Sequence, residues 1–404
     1  MSKILVLDGS YILFKSLFSS KSMLNADGID VSVAYKVLKL IITYILRYEP
    51  DTVHFVLDIG RDLKKKKKYE KYKANRGAKA TANIYSHLFD NNLSKEQYER
   101  LETSKNIIIN ILSKTPVKIY AIPYIEGDTV CGGIALEEAK NGNNVIILTG
   151  DKDYLQLVND NINVTFLPHG KFRPVEETYT INRIPEIWGM VKLKVPKDTN
   201  LQPHMMTYFR SIIGDISDNI GGVEGKGESF VNKMLNIAID NNITSFVGFN
   251  DCIDFYKNVV STVKEQNLKK SDKVRKVVED IENLITIEKS LNQWKTSWEI
   301  TDIKNSYNTL PSYALETLLT IFRNKKAYNI NEFLEEIIKY EFDSIDDYKK
   351  WVAILECLND GDWDKLQSRA GVGWYKMINV FNVVSEKANK YYNRLETKEK
   401  DDIL

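Results

Sequence analysis

The sequence predicts an α/β protein in which a mainly parallel central sheet is flanked by helices. Roughly the first 165 residues alternate short apolar segments with amphipathic helical patterns, the order that builds a parallel sheet. Four of the predicted strands lead into carboxylates. Beyond Leu201 strand patterns nearly vanish, so the rest of the chain is predicted to be helical.

The predicted strands that lead into acids are the most informative feature of the chain. They are residues 3–7 before Asp8, residues 53–57 before Asp58, residues 117–120 before Glu126 and Asp128, and residues 145–148 before Asp151 and Asp153. Because the carboxyl ends of parallel strands open into one crevice, these acids are expected to converge. Two carboxylates about 4 Å apart repel by about 4 kcal/mol at an effective dielectric of about 20. The cluster therefore predicts bound divalent cations.

Each acid has an ordinary alternative explanation when it is taken alone. Asp8 could cap a helix, Asp58 could belong to a turn, and the two later pairs could favour a helix dipole or lie in a surface turn. Capping does not require an acid at all four strand ends, so metal binding is the preferred interpretation. Ligands that are all oxygen suit Mg²⁺ or Mn²⁺.

Helical patterns account for most of the remaining chain. They cover residues 31–48, 95–112, 128–140, 203–213, 228–241, 250–259 and 273–285, and further helices are expected in roughly the last 100 residues. Residues 166–200 are predicted to be irregular because four prolines interrupt them.

The composition is typical of a globular protein with two or three domains. The chain has 404 residues, of which 43% are hydrophobic and 27% are charged. It has no apolar run long enough to cross a bilayer and no signal-peptide layout. Its three scattered cysteines indicate a reducing compartment. We therefore expect a cytoplasmic protein with no membrane partner.

A basic strip accompanies the acids, although the net charge is only +1. Five lysines occupy residues 64–68, and residues 69–77 then interleave tyrosine with lysine and arginine. This pattern suits phosphate contact and base stacking. A solvated helical face explains residues 64–68 equally well.

A glycine-rich segment at residues 214–228 is the third candidate site. It contains Asp215 and Asp218, followed by the turn Gly225-Lys226-Gly227 at the start of a predicted helix. Bare N–H groups at a helix start bind phosphate, and glycine permits close approach of a nucleic-acid backbone. A lone GxG turn would indicate only a loop, but GDxSDN followed by GVxGxG is a much stronger signal.

Together these motifs resemble those of the 5′→3′ exonuclease and flap endonuclease family, which includes the 5′ nuclease domain of DNA polymerase I and separate phage enzymes. The matching segments are LDGS at residues 7–10, Asp58 with Arg61 and YKANR at 72–76, EGD at 126–128, TGDKD at 149–153 with LQL at 155–157, and residues 214–227, which resemble a helix–three-turn–helix motif. The resemblance covers roughly residues 1–290.

The resemblance implies a PIN-like nuclease core that binds two Mg²⁺ or Mn²⁺ ions. The implied ligands, direct or through water, are Asp8, Asp58, Glu126, Asp128, Asp151, Asp153, Asp215 and Asp218. One ion would generate a hydroxide and the other would stabilise the leaving oxygen. Thr129 stands where many bacterial members carry a further acid, and Gly221 replaces a common proline.

The resemblance also implies residues that bind DNA. Lys73 and Arg76 would lie at the base of a helical arch and steer the scissile phosphate, with Arg61 nearby. Tyr72 would stack on the terminal base. The implied grip on the duplex backbone comes from Gly225, Lys226 and Gly227, with a monovalent cation such as K⁺ at the turn.

Three regions are expected from this comparison. Residues 1–200 would form the nuclease core with the arch near 64–105, residues 201–295 the helix–three-turn–helix region, and residues 296–404 a helical extension of unknown role. Within the extension, residues 371–373 could form a second backbone-binding turn, although a plain loop is favoured.

The implied function is metal-dependent 5′→3′ exonuclease and flap endonuclease activity that removes primers or flaps in replication or repair. Expected partners are DNA with a 5′ end or flap, RNA primer–DNA hybrids and replication proteins. The protein is expected to be a monomer in a bacterial or phage-infected cell. A phosphatase with a nucleophilic Asp8 is disfavoured because Ser10 occupies the place of its second acid. A catalytically impaired, structure-specific DNA-binding protein remains an alternative.

Overall fold

The computed structural model describes most of the chain. The described residues are 1–59, 62–73, 93–168, 173, 175–216, 218–265, 272–326, 328–344 and 348–364. Arg61, Arg76, the arch residues 74–92 and the turn at 371–373 lie outside these ranges.

A six-stranded sheet forms the core. Its strands are β1 (Lys3–Asp8), β2 (Thr52–Ile59), β3 (Lys118–Pro123), β4 (Asn144–Thr149), β5 (Ile162–Phe166) and β6 (Glu177–Tyr179). The order across the sheet is β3-β2-β1-β4-β5-β6, and every neighbouring pair is parallel except β5 with β6. The prediction of a mainly parallel sheet is confirmed.

The register of the central strand brings the predicted acids to one edge of the sheet. Asp8 at the end of β1 pairs with Val56 of β2, two residues before Asp58. On the other side of β1, Leu7 pairs with Leu148 of β4, three residues before Asp151. Carboxyl ends of adjacent parallel strands therefore carry these three acids, as a crevice at this edge requires.

Helices follow the strands and predominate in the described part of the second half of the chain. The helices are α1 (Gly9–Ser19), α2 (Ser32–Tyr48), α3 (Leu63–Lys68), α4 (Lys95–Ser113), α5 (Gly127–Lys140), α6 (Ile184–Met190), α7 (Met206–Ile213), α8 (Glu228–Asp240), α9 (Phe249–Glu265), α10 (Asp272–Thr286), α11 (Glu288–Thr301), α12 (Ile303–Asn308), α13 (Ser312–Arg323), α14 (Ile330–Lys339) and α15 (Tyr348–Asp360). Short 3₁₀ helices span Lys152–Leu157, Ile181–Arg183, Pro203–Met205 and Phe342–Ser344. Within the described ranges, none of these helices is both long and apolar enough to cross a membrane.

Most predicted elements have the expected positions, but residues 166–200 are more ordered than predicted. This segment contains β6 and α6. Pro185 occupies the first turn of α6, where its missing N–H removes no hydrogen bond, so it begins the helix and does not break it. A two-stranded ribbon also appears beyond Leu201, formed by β7 (Gly214–Asp215) and β8 (Ile220–Gly221).

Apolar side chains cover both faces of the sheet. On one face, Ile134 of α5 shares a core cluster with Phe209 of α7 and Trp294 of α11. On the other face, Ile41 of α2 shares a second cluster with Trp351 of α15. Helices from the far end of the chain therefore complete the two layers that cover the sheet.

Helices α11 and α12 pack against the helices that cover the sheet. α11 runs through the predicted boundary between residues 295 and 296. α12 packs directly on α5, where a Cβ on Gly132 would lie 2.1 Å from Ile303 and a Cβ on Gly133 would lie 2.3 Å from Tyr307. Only glycine permits this close approach at both positions.

Candidate metal centre and nucleic-acid interface

Three predicted metal ligands lie at the crevice without a basic partner. Oδ1 and Oδ2 of Asp8 accept hydrogen bonds from the Tyr11 amide (3.0 Å) and the Thr149 hydroxyl (2.8 Å). Asp58 accepts from the Gly127 amide, and Asp151 accepts from the Asp153 amide at 2.9 Å. No lysine or arginine in the described part of the chain forms an ion pair with Asp8, Asp58 or Asp151. We call these three the uncompensated acids.

The uncompensated acids resist ionisation. Desolvation and the negative charge of Asp58 raise the pKa of Asp8 to about 7. Desolvation also raises the pKa of Asp58 and the charge of Asp128 adds to this effect, whereas the Gly127 amide and the positive charge of Lys73 oppose it. The pKa of Asp151 is raised well above its usual range by desolvation and then by the adjacent Asp153. Each carboxylate would be stabilised by a positive charge placed among them.

Glu126 is in the opposite electrostatic situation. It is buried, and its carboxylate forms 2.6 Å ion pairs with both Lys65 and Lys73 while accepting a hydrogen bond from the Tyr72 hydroxyl at 2.8 Å. Burial alone would raise the pKa of Glu126, but the two ammonium groups hold it well below its usual range. Glu126 is therefore an ionised, fully partnered group.

The same two lysines reach two further predicted ligands. Lys65 Nζ lies 3.7 Å from Asp128 Oδ2, and Lys73 Nζ lies 3.7 Å from Asp218 Oδ2. The backbone also connects these segments, because the Lys73 amide donates to the Asp218 carbonyl at 2.8 Å. The amide and hydroxyl of Thr129 both donate to Asp128 Oδ1, at 2.5 and 3.2 Å. Thr129 thus orients its neighbouring acid.

One arginine contacts both of the remaining predicted ligands, Asp153 and Asp215. Arg210 of α7 contacts Asp153 through Nη1 and Asp215 Oδ2 through Nη2 at 2.6 Å. This bridge connects the segment after β4 to the β7–β8 ribbon. With Glu126, Asp128 and Asp218, these acids form a second group that we call the paired acids, namely Glu126, Asp128, Asp153, Asp215 and Asp218.

The donor set fits a hard divalent cation by its chemistry and charge. All eight predicted ligands are carboxylates, and three of them lack a cation and have raised pKa values. The arrangement is not a closed metal site, because among the described residues no three His, Cys, Asp or Glu side chains converge closely enough to hold one ion. Asp8, Asp58 and Asp151 are the residues that best match a metal.

The predicted base-stacking role of Tyr72 does not match its position in this structure. The ring is 6% exposed, its hydroxyl is bound to Glu126, and Lys73 Nζ lies 4.9 Å from the ring centroid. Burying the hydroxyl against a charged carboxylate holds the ring inside the crevice wall. Stacking on a base would require the ring to leave this position.

The helix–three-turn–helix segment has the predicted turn at the start of α8. Gly225 adopts φ 73°, in the left-handed region, and Gly227 precedes the first residue of α8. Lys226 forms an ion pair with Asp280 of α10, and its ammonium lies 4.6 Å from the Phe230 ring centroid. The turn therefore presents backbone groups, while the lysine is held by protein contacts.

Three crevice residues were missed by the sequence interpretation. Lys65 is buried among acids, although the lysine run gave no reason to single it out. Asp62 caps α3 by accepting from the Lys65 amide at 2.9 Å. Arg210 lies in a helix whose apolar pattern drew no attention to its charge. The capping position of Asp62, three residues before Lys65, was the available signal for the first two.

The matches to known proteins agree with this geometry. Residues 3–189 match the model of the 5′-3′ exonuclease, N-terminal resolvase-like domain. The chain resembles 5′–3′ exonucleases over this segment, which is a little under half of its 404 residues. The matched span includes all three uncompensated acids and the lysines beside them. The strand ends that the sequence singled out therefore lie within the segment that matches this domain.

Relatives and solved structures extend the likeness. The chain is 28% identical to a 5′-3′ exonuclease of Buchnera aphidicola over 59% of this chain and 74% of that protein. It is 27% identical to DNA polymerase I of Caldicellulosiruptor bescii over 58% of this chain but only 24% of that longer protein. The structure of the T5 D15 protein with metal ions is similar in fold, with a TM-score of 0.53 and 16% identity over 83% of this chain and 99% of that one.

Proposed function

We propose that this chain is a metal-dependent 5′ nuclease that hydrolyses phosphodiester bonds near DNA 5′ ends and flaps. The observation that carries the proposal is the set of uncompensated acids at three adjacent strand ends, with Lys65 and Lys73 on the crevice wall. Raised carboxyl pKa values beside basic groups in a crevice are typical of functional sites.

Asp8, Asp58 and Asp151 would hold the first divalent ion, Mg²⁺ or Mn²⁺. When bound, such ions activate water and stabilise the leaving oxygen of a phosphodiester. The proposal of two ions rests on the paired acids, since Asp128, Asp153, Asp215 and Asp218 could release their basic partners and ligate a second one. Carboxylates that exchange a side-chain cation for a metal keep their charge balanced throughout.

Lys73 is proposed to orient the scissile phosphate. Its ammonium already lies between Glu126 and Asp218, and its pKa is raised because the attraction of these acids outweighs burial. A phosphate that enters beside the metal would compete with Glu126 for this ammonium. Arg76 and Arg61 are proposed to extend the same basic strip, and K⁺ is proposed at the Gly225 turn.

We propose that the protein selects its substrate by the shape and backbone of the nucleic acid and not by recognition of individual bases. Backbone groups of the Gly225–Gly227 turn would contact a duplex phosphate strand, and the crevice would receive the adjacent 5′ end. We propose primer or flap removal in replication or repair by a monomer acting in the cytoplasm, on DNA or RNA primer–DNA hybrids.

A flap assay tests the proposal. Label flap DNA at its 5′ end, add the protein with Mg²⁺, and measure short labelled products, using DNA-tailed and RNA-tailed flaps in parallel. We expect metal-dependent release that EDTA abolishes. Release that continues in EDTA would contradict the metal requirement.

A binding-only protein of the same fold is the second candidate. Two observations favour it: five of the eight acids already contact basic side chains, and no three acidic, His or Cys side chains in the described ranges form a closed metal group. The same flap substrate distinguishes the two candidates. Retained flap affinity without product at any Mg²⁺ or Mn²⁺ concentration would establish the binding-only function.

A further inference from the structure

A basic cavity lies at the opposite end of the sheet from the acidic crevice. The cavity has a volume of about 370 Å³. Thr52, the first residue of β2, is one of its lining residues, whereas Asp58 lies at the other end of that strand. Six residues of extended strand separate the two sites by about 20 Å. The cavity is therefore distinct from the proposed nuclease site.

Four basic side chains line this cavity. They are Lys118 at the start of β3, Arg323 at the end of α13, and Lys325 and Lys326 just beyond it. Two acids, Asp51 and Asp360, also line the cavity. The lining groups thus carry four positive and two negative formal charges.

None of the four basic side chains forms an ion pair with a described residue. Lys326 Nζ instead donates to the carbonyls of Leu112 (2.7 Å) and Val117 (2.8 Å), and Lys118 Nζ donates to the Phe322 carbonyl. Asp51 is similarly occupied, since its carboxylate accepts from the Lys3 amide at 2.7 Å. Carbonyl dipoles hold the two lysines in place without neutralising them.

Desolvation confirms that the positive charge here is costly. Burial lowers the pKa of Lys326 to about 8, and nearby Lys114 lowers it further. Burial also lowers the pKa of Lys118, and the nearby carboxylate of Glu138 only partly opposes this effect. Because a nearby negative charge stabilises a desolvated ammonium, an anion in the cavity would relieve both groups.

We infer that this cavity, lined by Lys118, Arg323, Lys325 and Lys326, binds a phosphate-bearing small molecule. A phosphate dianion accepts several charge-assisted hydrogen bonds, and arginine and lysine together provide the donors. The volume falls within the usual range for small-ligand sites and accommodates a mononucleotide as well as free phosphate. Free phosphate and a mononucleotide share the phosphate group, and only the mononucleotide also carries a nucleoside.

Calorimetric titration of the full chain in EDTA tests the inference, with inorganic phosphate, AMP and adenosine as separate probes. EDTA keeps divalent ions from recruiting phosphate to the acidic crevice. We expect phosphate and AMP to bind and adenosine not to bind. Tighter binding of AMP identifies a mononucleotide site, and equal affinity identifies a site for the phosphate group alone.

Charge reversal locates the binding site. The variant R323E/K325E changes two exposed side chains and should weaken phosphate or AMP binding at least tenfold, since each charge-assisted bond contributes at least about that factor. The matched control K194E/K197E reverses two exposed lysines on a distant loop and should bind as the parent does.

The melting temperature without phosphate checks that R323E/K325E is folded. K325A provides a milder variant, which removes one charge-assisted bond and should weaken binding about tenfold. Absence of phosphate and AMP binding to the parent would overturn the inference. Equal loss in both double variants, or unchanged affinity in R323E/K325E, would also overturn it.

Discussion

The uncompensated acids and the paired acids occupy the same crevice but are stabilised in different ways. Asp8 ends β1, Asp58 lies at the end of β2 and Asp151 follows β4, and these three acids form hydrogen bonds but no ion pair with the described residues. The paired acids share three basic side chains, Lys65, Lys73 and Arg210. The pKa of Asp8 is raised while that of Glu126 is lowered.

This difference indicates that the negative charges of the two groups of acids serve different functions. The paired acids connect α3, α7 and the β7–β8 ribbon, so they maintain the walls of the crevice. Among the described residues the uncompensated acids form no such ion pair, so we propose that an external cation compensates their charge. Variants in the two groups should therefore respond oppositely in stability and activity.

The largest expected effect is on cleavage by Asp151→Asn. Removing one uncompensated charge should lower the cleavage rate by about 10²- to 10³-fold, the usual effect of losing one group that stabilises transition-state charge. Flap affinity should change little. Single-turnover cleavage of labelled flap DNA measures the rate, and Asp160→Asn in an exposed loop serves as the matched control. Parent-like turnover of Asp151→Asn would remove this residue from the metal site.

The next effect is a dependence of stability on pH that metal removes. The pKa of Asp8 rises from 3.8 to about 7 on folding, so the folded state retains a proton that the unfolded chain releases between these values. Stability in EDTA should therefore decrease as pH rises, by about 3 kcal/mol between pH 5 and pH 8.

Denaturant titrations at the two pH values, with EDTA or with Mg²⁺, measure this effect. Mg²⁺ should restore stability at pH 8 much more than at pH 5, and Asp8→Asn should flatten the profile in EDTA. A profile of Asp8→Asn that matches the parent would show that Asp8 is not the titrating group.

A loss of stability is expected when a paired acid loses its cation. Arg210→Met removes the ion pairs that Arg210 forms with Asp153 and Asp215 and should lower the free energy of unfolding by about 3 kcal/mol in EDTA. Lys257→Met breaks an exposed pair with Asp254 and should cost less than about 0.5 kcal/mol. Urea titration of the two variants compares them, and equal stability would show that the Arg210 bridge contributes nothing.

The smallest effect is expected at Thr129. Thr129→Val removes the hydroxyl that donates to Asp128 at 3.2 Å and retains the backbone donor, so it should cost about 1 kcal/mol. Thr129→Ser keeps the hydroxyl and is the control. Thermal unfolding measures both variants, and identical melting temperatures would show that the hydroxyl does not orient Asp128.

Four of the six strands of the sheet, β1 to β4, could be predicted from the sequence because their signals are local. Each strand of the parallel core is a short apolar run, and an acid follows four of them at the edge where parallel strands end. The α6 helix was missed because proline was interpreted as a breaker, although at a first turn it starts a helix.

The basic partners of the acids could not be predicted in the same way. Five consecutive lysines look alike in sequence, and only the packing of α3 selects Lys65 for burial beside Glu126. Arg210 meets Asp153 across 57 residues of sequence, a contact that depends on the tertiary fold. Charge pairing within the crevice is therefore a property of the assembled structure.

The passage of α11 through the predicted domain boundary has a practical consequence. The Ser297 hydroxyl of α11 donates a hydrogen bond to the Gly221 carbonyl of the ribbon at 3.0 Å. In the next helix, Ile303 and Tyr307 of α12 pack against Gly132 and Gly133 of α5. Truncation at residue 295 would cut through α11 and remove α12. The apolar surface of α5 that Ile303 and Tyr307 cover would then be exposed to solvent. We therefore expect a protein truncated to residues 1–295 to aggregate.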